Sequence, residues 1–231
     1  MTHTRPTYSS PYIAPTLVVD AVLFQVVEDE LQVLLVKRSQ DPYKNSWALP
    51  GGYCPKGETT RDALQRITST KAGVNINKDT SFVEQLYTFD TVARDPRGHA
   101  VSVVYLACGL SISCHASATE ETGFFPINDL PKLAYDHADI IEYAHNRLKG
   151  KITYTNAVYS MMPKLFTLTQ LQSTYEAILG TELDKRNFRK KFLQLDLISG
   201  TGKKLADGAH RPAQLFKFNQ QKLQTLTRNF E

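Results

Sequence analysis

The sequence predicts an α+β chain of two units: a first unit of strands and helices, then a smaller unit of three helices and a two-stranded hairpin. Three observations carry this reading. Four strand-like and two helix-like segments occupy the first two thirds. Beyond Gly150 the pattern turns helical and closes on two short strands. The charge divides at nearly the same place. Residues 1–146 hold 12 Lys/Arg against 17 Asp/Glu, a net of −5, while residues 147–231 hold 15 against 6, a net of +9. The overall +4 of the 231-residue chain hides that split. An acidic unit followed by a basic one suits two different partners, and the basic one suits a polyanion.

The elements follow in order. Thr16–Phe24 and Leu31–Lys37 read as strands, β-branched and leucine-rich, separated by acidic Glu28-Asp29-Glu30. Trp47-Ala48-Leu49-Pro50-Gly51-Gly52 is turn-rich, and a helix is expected over Thr60–Ala72, stopped by Gly73. Phe82–Thr91 and Ala100–Leu110 read as strands around the polar loop Arg94–His99, and a helix follows over Asp136–Leu148. Past Gly150, Thr155–Met162 reads as a short helix stopped by Pro163. A second helix spans Thr169–Leu179, with Thr167 or Thr169 as N-cap and Gly180 as its end; a third spans Asp184–Leu195, capped by Asp184. Ile198–Leu205 and Ala213–Phe218 form the hairpin. The expected organisation is an N-terminal arm over 1–15, a first domain over 16–149 and a second over 150–231. Three helices and a hairpin are the plan of a winged helix-turn-helix.

Composition narrows the classes. No apolar run approaches the roughly 20 residues that span a bilayer. Residues 1–15, rich in Thr, Tyr, Ser and Pro, lack the charged-then-apolar order of a secretion signal. Cys54, Cys108 and Cys114 are odd in number and lack metal spacing, which favours free thiols in a reducing, cytoplasmic setting.

One constellation stands out in the first unit. Gly52, Glu58 and Arg66 follow the spacing Gly-x5-Glu-x7-Arg, and the segment closes on Gly73-Val74. The flanks Leu35-Val36-Lys37-Arg38 and Trp47–Gly52 agree with it. This resembles the Nudix box, and the resemblance to Nudix domains covers roughly residues 16–148. It implies an α/β/α sandwich with a mixed sheet. In that family, glutamates on one face of the box helix hold the divalent cations that activate water. Here the matching positions are Ile67, Thr70 and Lys71. Residues at i, i+3 and i+4 share a helix face. That face is therefore apolar, hydroxyl and cationic, and hard cations need carboxylate oxygen. No catalytic residue and no metal site are expected, and Glu58 with Arg66 reads as a structural pair. Glu120-Glu121-Thr122-Gly123 looks like the tail of a box but lacks its upstream Arg-Glu, and reads as a solvated turn.

A ligand pocket can outlast its chemistry. Trp47, Tyr87, Phe89 and Tyr105 stand at strand ends or turns, with Arg38, Arg94 and Arg97 nearby in the sequence. Aromatic faces and guanidinium groups suit an adenine ring and a pyrophosphate; each aromatic also has a plain reading as core. Asp136 is either an N-cap or a ligand contact, and His137 either a packed imidazole or a ligand contact. The sites proposed are thus Arg38, Trp47, Tyr87, Phe89, Arg97, Tyr105, Asp136 and His137.

In the third helix of the second unit, Phe188, Phe192 and Leu195 make one apolar face. Lys185, Arg186, Asn187, Arg189, Lys190 and Lys191 fill the rest, with no compensating acid among them, and the hairpin adds Lys203, Lys204, His210 and Arg211. Arg, Lys and Asn read base edges in the major groove, and basic wing residues hold phosphates. Lys185, Arg186, Asn187, Arg189, Lys190, Lys203, Lys204, His210 and Arg211 are therefore candidates for contacting double-stranded DNA.

Together, a degenerate Nudix box and a basic winged helix resemble the Nudix-related transcriptional regulators of NAD metabolism, the NrtR family. Further matches are Glu84-Gln85-Leu86, Arg94-Asp95-Pro96-Arg97-Gly98, Leu133-Ala134-Tyr135-Asp136-His137, Asn187-Phe188-Arg189-Lys190-Lys191 and Arg211-Pro212-Ala213. The resemblance implies a homodimer that represses genes of NAD synthesis or salvage from a palindromic operator. It also implies ADP-ribose or a related nucleotide as effector, with no cofactor. A sugar-sensing regulator of the same architecture, an active pyrophosphohydrolase of ADP-ribose or other nucleoside-diphosphate derivatives, and a protein-interaction adaptor are the competing classes. Ile67, Thr70 and Lys71 oppose the second of these, and the basic C-terminal third opposes the last.

Overall fold

The computed structural model describes residues 13–115, 121–205 and 212–226. β1 (Thr16–Val27) and β2 (Glu30–Lys37) form an antiparallel hairpin. Its two-residue turn, Glu28 and Asp29, has φ of 51° and 62°, a left-handed turn whose twist matches the strands it joins. β3 (Trp47–Ala48) and β4 (Gly51–Tyr53) come next, then α1 (Thr60–Ala72) and a single turn, α2 (Ile76–Asp79). β5 (Phe82–Phe89), β6 (Ala100–Cys108) and β7 (Thr122–Pro126) complete the sheet. The strand order is β3-β2-β1-β6-β5, with β4 paired to β1 and β7 to β2. β1 and β6 run parallel and the other pairings are antiparallel, so the sheet is mixed.

Alternation along β1 sorts the core into two layers. Val19, Ala21 and Leu23 pack with Ala63, Leu64 and Ile67 of α1. Val22 and Phe24 face the other way, onto Ile140, Ile141, Ala144 and Leu148 of α3 (His137–Tyr154). That second layer is continuous with the apolar residues of the remaining elements: a 3-10 turn (Ala157–Met161), α4 (Leu168–Leu179), α5 (Lys185–Gln194), and the β8 (Ile198–Leu205) and β9 (Ala213–Phe218) hairpin. Phe166 and Phe216 exchange backbone hydrogen bonds of 3.0 and 2.8 Å, tying the hairpin to the entry of α4. The result is an α/β/α sandwich followed by a winged helix-turn-helix.

Helix ends follow local chemistry. Thr59 caps α1 and Gly73, at φ 67°, ends it. Thr167, rather than Thr169, caps α4 in a reciprocal capping box with Gln170. Asp184 caps α5 by accepting from the Asn187 N–H at 2.8 Å.

Four expectations are corrected. Thr122 and Gly123 open β7, hydrogen-bonded to β2, instead of lying in a turn; Glu121 meets Lys37 at 2.7 Å, and Glu120 is outside the described residues. Residues 155–162 hold only a five-residue 3-10 turn. Leu195 is not part of a buried face: it is the C-cap of α5 and 44% exposed. Finally, α3 does not stop at Leu148 but continues through Gly150 to Tyr154.

The last correction has an electrostatic reason. Arg147 and Lys151, one turn apart on α3, both pair with Glu84 on β5, Arg147 at 3.0 Å. Lys151 is buried, so ending the helix before it would strand a charge in the core. Burial opposes ionisation of Glu84, but the hydrogen bonds from Arg147 and Lys151 outweigh it and hold its carboxyl below the ordinary range. A carboxylate with a depressed folded-state pKa stabilises fully above its unfolded value near 4.3, and that stability is lost as pH falls through the folded value. Urea unfolding at pH 7 and at pH 3.5 should therefore show a smaller pH-dependent loss in Glu84→Gln than in the parent chain.

Candidate functional site

The cleft opens where β1, β2 and β4 meet the start of α3. It holds about 350 Å3, and its walls include Asp20, Arg38, Gly51, Gly52, Tyr53, Lys71, Arg94, Asp95, Arg97, Tyr135 and His137. Its floor is a buried ion network. Arg94 donates to both carboxylate oxygens of Asp136 at 2.8 and 2.7 Å and lies 3.5 Å from Asp20. Asp20 also accepts from the Ser102 hydroxyl at 2.6 Å. Gly51 is required by this arrangement, because a Cβ there would fall on the Asp20 Oδ1 atom. His137 Nδ1 accepts from the Leu49 N–H at 2.8 Å, so that nitrogen carries no proton. Burial depresses the His137 pKa, and the imidazole is neutral at pH 7.

Above the floor lies Tyr135. Its φ of 54° costs a residue with a side chain about 1–2 kcal/mol. The neighbouring backbone holds it: the Ala134 N–H donates to the Trp47 carbonyl at 2.8 Å. The guanidinium of Arg38 stacks over the Tyr135 ring at 4.9 Å, and that of Arg97 lies 5.9 Å from the same ring and 5.8 Å from Tyr53. Arg97 is also bound by Asp95 at 2.7 Å, whereas Arg38 donates to the carbonyl oxygens of Pro42 and Gln40. The Tyr135 hydroxyl is buried and has no hydrogen-bond partner among the described residues.

Of the residues proposed from sequence, Arg38, Arg97 and His137 line this cleft, and Asp136 braces it through Arg94. Asp136 holds the N-cap position of α3 but makes no side-chain cap bond, since its carboxylate is taken by Arg94. Four aromatics fall elsewhere. Trp47 packs edge-on against Phe125 at 4.6 Å and serves the site only through its backbone. Tyr87 and Phe89 cluster with Tyr143 of α3 at 5.2 and 5.7 Å, along edge strand β5. Tyr105 is buried on the α1 side, its hydroxyl 2.8 Å from that of Thr60. Asp20, Tyr53 and Tyr135 were missed. Asp20 did carry a signal, being the lone charge inside an apolar strand, where a charge needs a partner.

The box residues divide between structure and cleft. Arg66 grips both oxygens of Glu58 at 2.7 Å and the Tyr53 carbonyl at 2.8 Å, pinning the loop that leads into α1. Ile67 is buried beneath Gly52. The Thr70 hydroxyl donates back to the Arg66 carbonyl at 2.8 Å. Lys71 alone of the three positions faces the cleft. This donor set does not fit a divalent cation, and among the described residues no group of three or more His, Cys, Asp or Glu is arranged to hold one.

The second unit presents its cations outward. Phe188 and Phe192 stack at 5.5 Å and pack on Tyr175 of α4 at 5.4 and 5.6 Å. α5 exposes Lys185, Arg186, Asn187 and Lys190, and the hairpin exposes Lys203 and Lys204. Among the described residues, none of these lysines and arginines is in a salt bridge. Arg189 differs, since it donates to the Thr169 hydroxyl at 3.1 Å and so spans α4 and α5. His210 and Arg211 lie outside the described residues.

Two family models match: the NUDIX domain over residues 16–144 and the NrtR DNA-binding winged helix domain over residues 158–218. The chain is 35% identical to the ADPR responsive transcriptional repressor NtrR of Acinetobacter baylyi, over 90% of this chain and 84% of that protein. The chain belongs to the NrtR family. NrtR of Shewanella oneidensis, solved in complex with a 27mer DNA, superposes with a TM-score of 0.75 at 33% identity, covering 88% of this chain and 93% of that one. The Nudix domain of the same protein, solved with ADP ribose, is 35% identical with a TM-score of 0.55 over 59% of this chain and 90% of that one. An ADP-ribose pyrophosphatase of Methanocaldococcus jannaschii is 36% identical over 57% of this chain and 73% of its own length. The chain is thus an NrtR-type regulator built from a Nudix domain and a winged helix. No helix of the described residues is long and apolar enough to cross a membrane.

Proposed function

We propose that this protein is an ADP-ribose-responsive transcriptional repressor whose Nudix domain binds its effector without hydrolysing it. The observation that carries the proposal is the box face of α1. Ile67 is buried, Thr70 is bonded to its own helix and Lys71 is cationic, so nothing on that face would hold the metal that Nudix hydrolysis uses. The cleft beside it keeps what a nucleoside diphosphate sugar needs: an aromatic platform in Tyr135 with Arg38 and Arg97 above it. Both named relatives in this family support the choice of ligand, one called ADPR responsive and one solved with ADP ribose. Arg38, Arg97, Tyr135 and His137 are the ligand contacts we assign. Lys185, Arg186, Asn187 and Lys190 are assigned to the major groove, and Lys203 and Lys204 to flanking phosphates.

In this reading the protein acts in the cytoplasm as a homodimer on a palindromic operator, and the regulated genes are those of NAD synthesis or salvage. The effector domain is placed at 16–149 and the DNA-binding domain at 150–231, with α3 running across the division. The test uses the full chain. ADP-ribose should raise its melting temperature, because a ligand that binds only the folded state stabilises it. It should also change operator affinity, and operator DNA must then change ADP-ribose affinity by the same factor. Incubation with ADP-ribose and Mg2+ should release no AMP. Sustained AMP release would return the hydrolase reading, and binding of a pentose but not ADP-ribose would leave the architecture but overturn the effector.

A further inference from the structure

We propose that Asp20 and His137, on the floor of the cleft, together read one sugar hydroxyl of the effector. The inference deepens the assignment of this cleft to a nucleoside diphosphate sugar and rests on it.

Asp20 stands between Val19 and Ala21 in β1, where a buried carboxylate persists only with partners. Its two oxygens are used unequally. Oδ2 accepts from the Ser102 hydroxyl at 2.6 Å and lies 3.5 Å from the Arg94 guanidinium. Oδ1 accepts no hydrogen bond among the described residues. It lies against Gly51, which has no side chain to cover it, and 3.9 Å from Nε2 of His137. His137 presents the complementary group. Its Nδ1 accepts from the Leu49 N–H, so the neutral ring carries its proton on Nε2, the nitrogen that faces Asp20. Both side chains line the cleft, with only 5 and 7% of their surface exposed. A direct N–H···O bond needs about 3.2 Å or less, so at 3.9 Å this donor and this acceptor are held apart. An oxygen about 2.8 Å from each atom would bridge them at an angle near 90°, with both hydrogen bonds of ordinary length. That oxygen must donate to the carboxylate and accept from the imidazole. A hydroxyl does both, whereas carbonyl, ether and ionised phosphate oxygens only accept. The charge of the floor agrees. One guanidinium, Arg94, faces two carboxylates, Asp20 and Asp136. The excess negative charge turns a diphosphate away from the floor and towards Arg38 and Arg97. Either ribose of ADP-ribose could supply the hydroxyl, and the ligands below distinguish the two.

Titration calorimetry of the full chain compares ADP-ribose with two ligands that keep a diphosphate diester. One is an ADP-ribose whose adenosine lacks both ribose hydroxyls. The other is the methyl ester of ADP on its terminal phosphate, which has no second ribose. The ligand missing the hydroxyl that is read should bind the parent at least about tenfold more weakly than ADP-ribose, as loss of a charge-assisted hydrogen bond implies. In Asp20→Asn that ratio should fall to about threefold, because a hydrogen bond to a neutral group has roughly half the strength of one to a charged group. His137→Asn keeps an acceptor for the Leu49 N–H but has no donor at the Nε2 position, and the ratio should fall there too. A general disturbance of the floor would weaken all three ligands alike and leave the ratio at its parent value. Melting temperatures of the ligand-free variants show which of them fold, and the ligand series on the parent needs no variant. Parent affinities within about threefold of one another would overturn the inference and leave the effector assignment standing, as would an unchanged ratio in either folded variant. If the parent binds none of the three ligands, the effector assignment itself fails, and the reading of the hydroxyl with it.

Discussion

Alanine at Lys185, Arg186 and Lys190 together is expected to weaken operator binding by about a thousandfold. Each side chain that reads a base or holds a phosphate contributes roughly 1–3 kcal/mol, and about 1.4 kcal/mol is tenfold in affinity. All three are exposed on α5, and substitutions of exposed side chains usually move stability by less than about 0.5 kcal/mol. The loss should therefore appear in binding with the melting temperature unchanged. Fluorescence anisotropy on a palindrome selected from a random duplex library, at two salt concentrations, separates the roles. Lys203→Ala should weaken every sequence alike and reduce the salt slope by about one unit. Arg186→Ala should relax preference at one base position. Arg189→Ala should instead cost stability as well as affinity, because Arg189 bridges to Thr169. A triple variant that binds the selected palindrome within threefold of the parent would remove α5 from the DNA interface.

The second large effect is expected from Arg94→Met. Arg94 is buried, and it stands between Asp136 at 2.7 Å and Asp20 at 3.5 Å. Removing the guanidinium leaves Asp20 in the core with the Ser102 hydroxyl as its remaining close side-chain bond. Breaking one partner out of a buried ion network costs about 3–5 kcal/mol. The chemical-denaturation midpoint should fall accordingly, and ADP-ribose affinity with it, since the same groups form the cleft floor. Arg94→Met combined with Asp136→Asn should cost less than the two single changes added together, because they share one interaction. Strict additivity would show that Arg94 and Asp136 do not stabilise one another.

Much of this architecture was legible because its signals are local. Gly73 ends α1, Asp184 opens α5, and the paired strands β8 and β9 lie close together in sequence. What was misread depends on distant partners. Gly150 looked like a helix end, yet Arg147 and Lys151 reach Glu84, more than 60 residues earlier, and keep the helix going. Glu120–Gly123 looked like a solvated turn because the strand that pairs with Thr122 and Gly123, β2, lies far back in the chain. The cleft was half legible for the same reason. Arg38, Arg97 and His137 stand in recognisable motifs, but nearness in sequence does not say which face of a sheet an aromatic occupies. Tyr87, Phe89 and Tyr105 accordingly do not line the cleft, whereas Tyr135, beside Asp136, does.

The length of α3 has a mechanical consequence. Its first residue, His137, backs the ligand cleft, and its last, Tyr154, accepts at its carbonyl from Leu226 beside the winged helix. Eighteen residues at the usual rise make a rod of about 27 Å. A tilt of about 5° imposed at the cleft end would sweep the far end through roughly 2 Å, the scale of helix displacement that switches packed interfaces. His145, midway along the rod, binds the Ile178 carbonyl in the last turn of α4 at 2.7 Å. The stroke would therefore be delivered to the helix on which α5 is seated, and its lever arm is set by how far along α3 the contact falls.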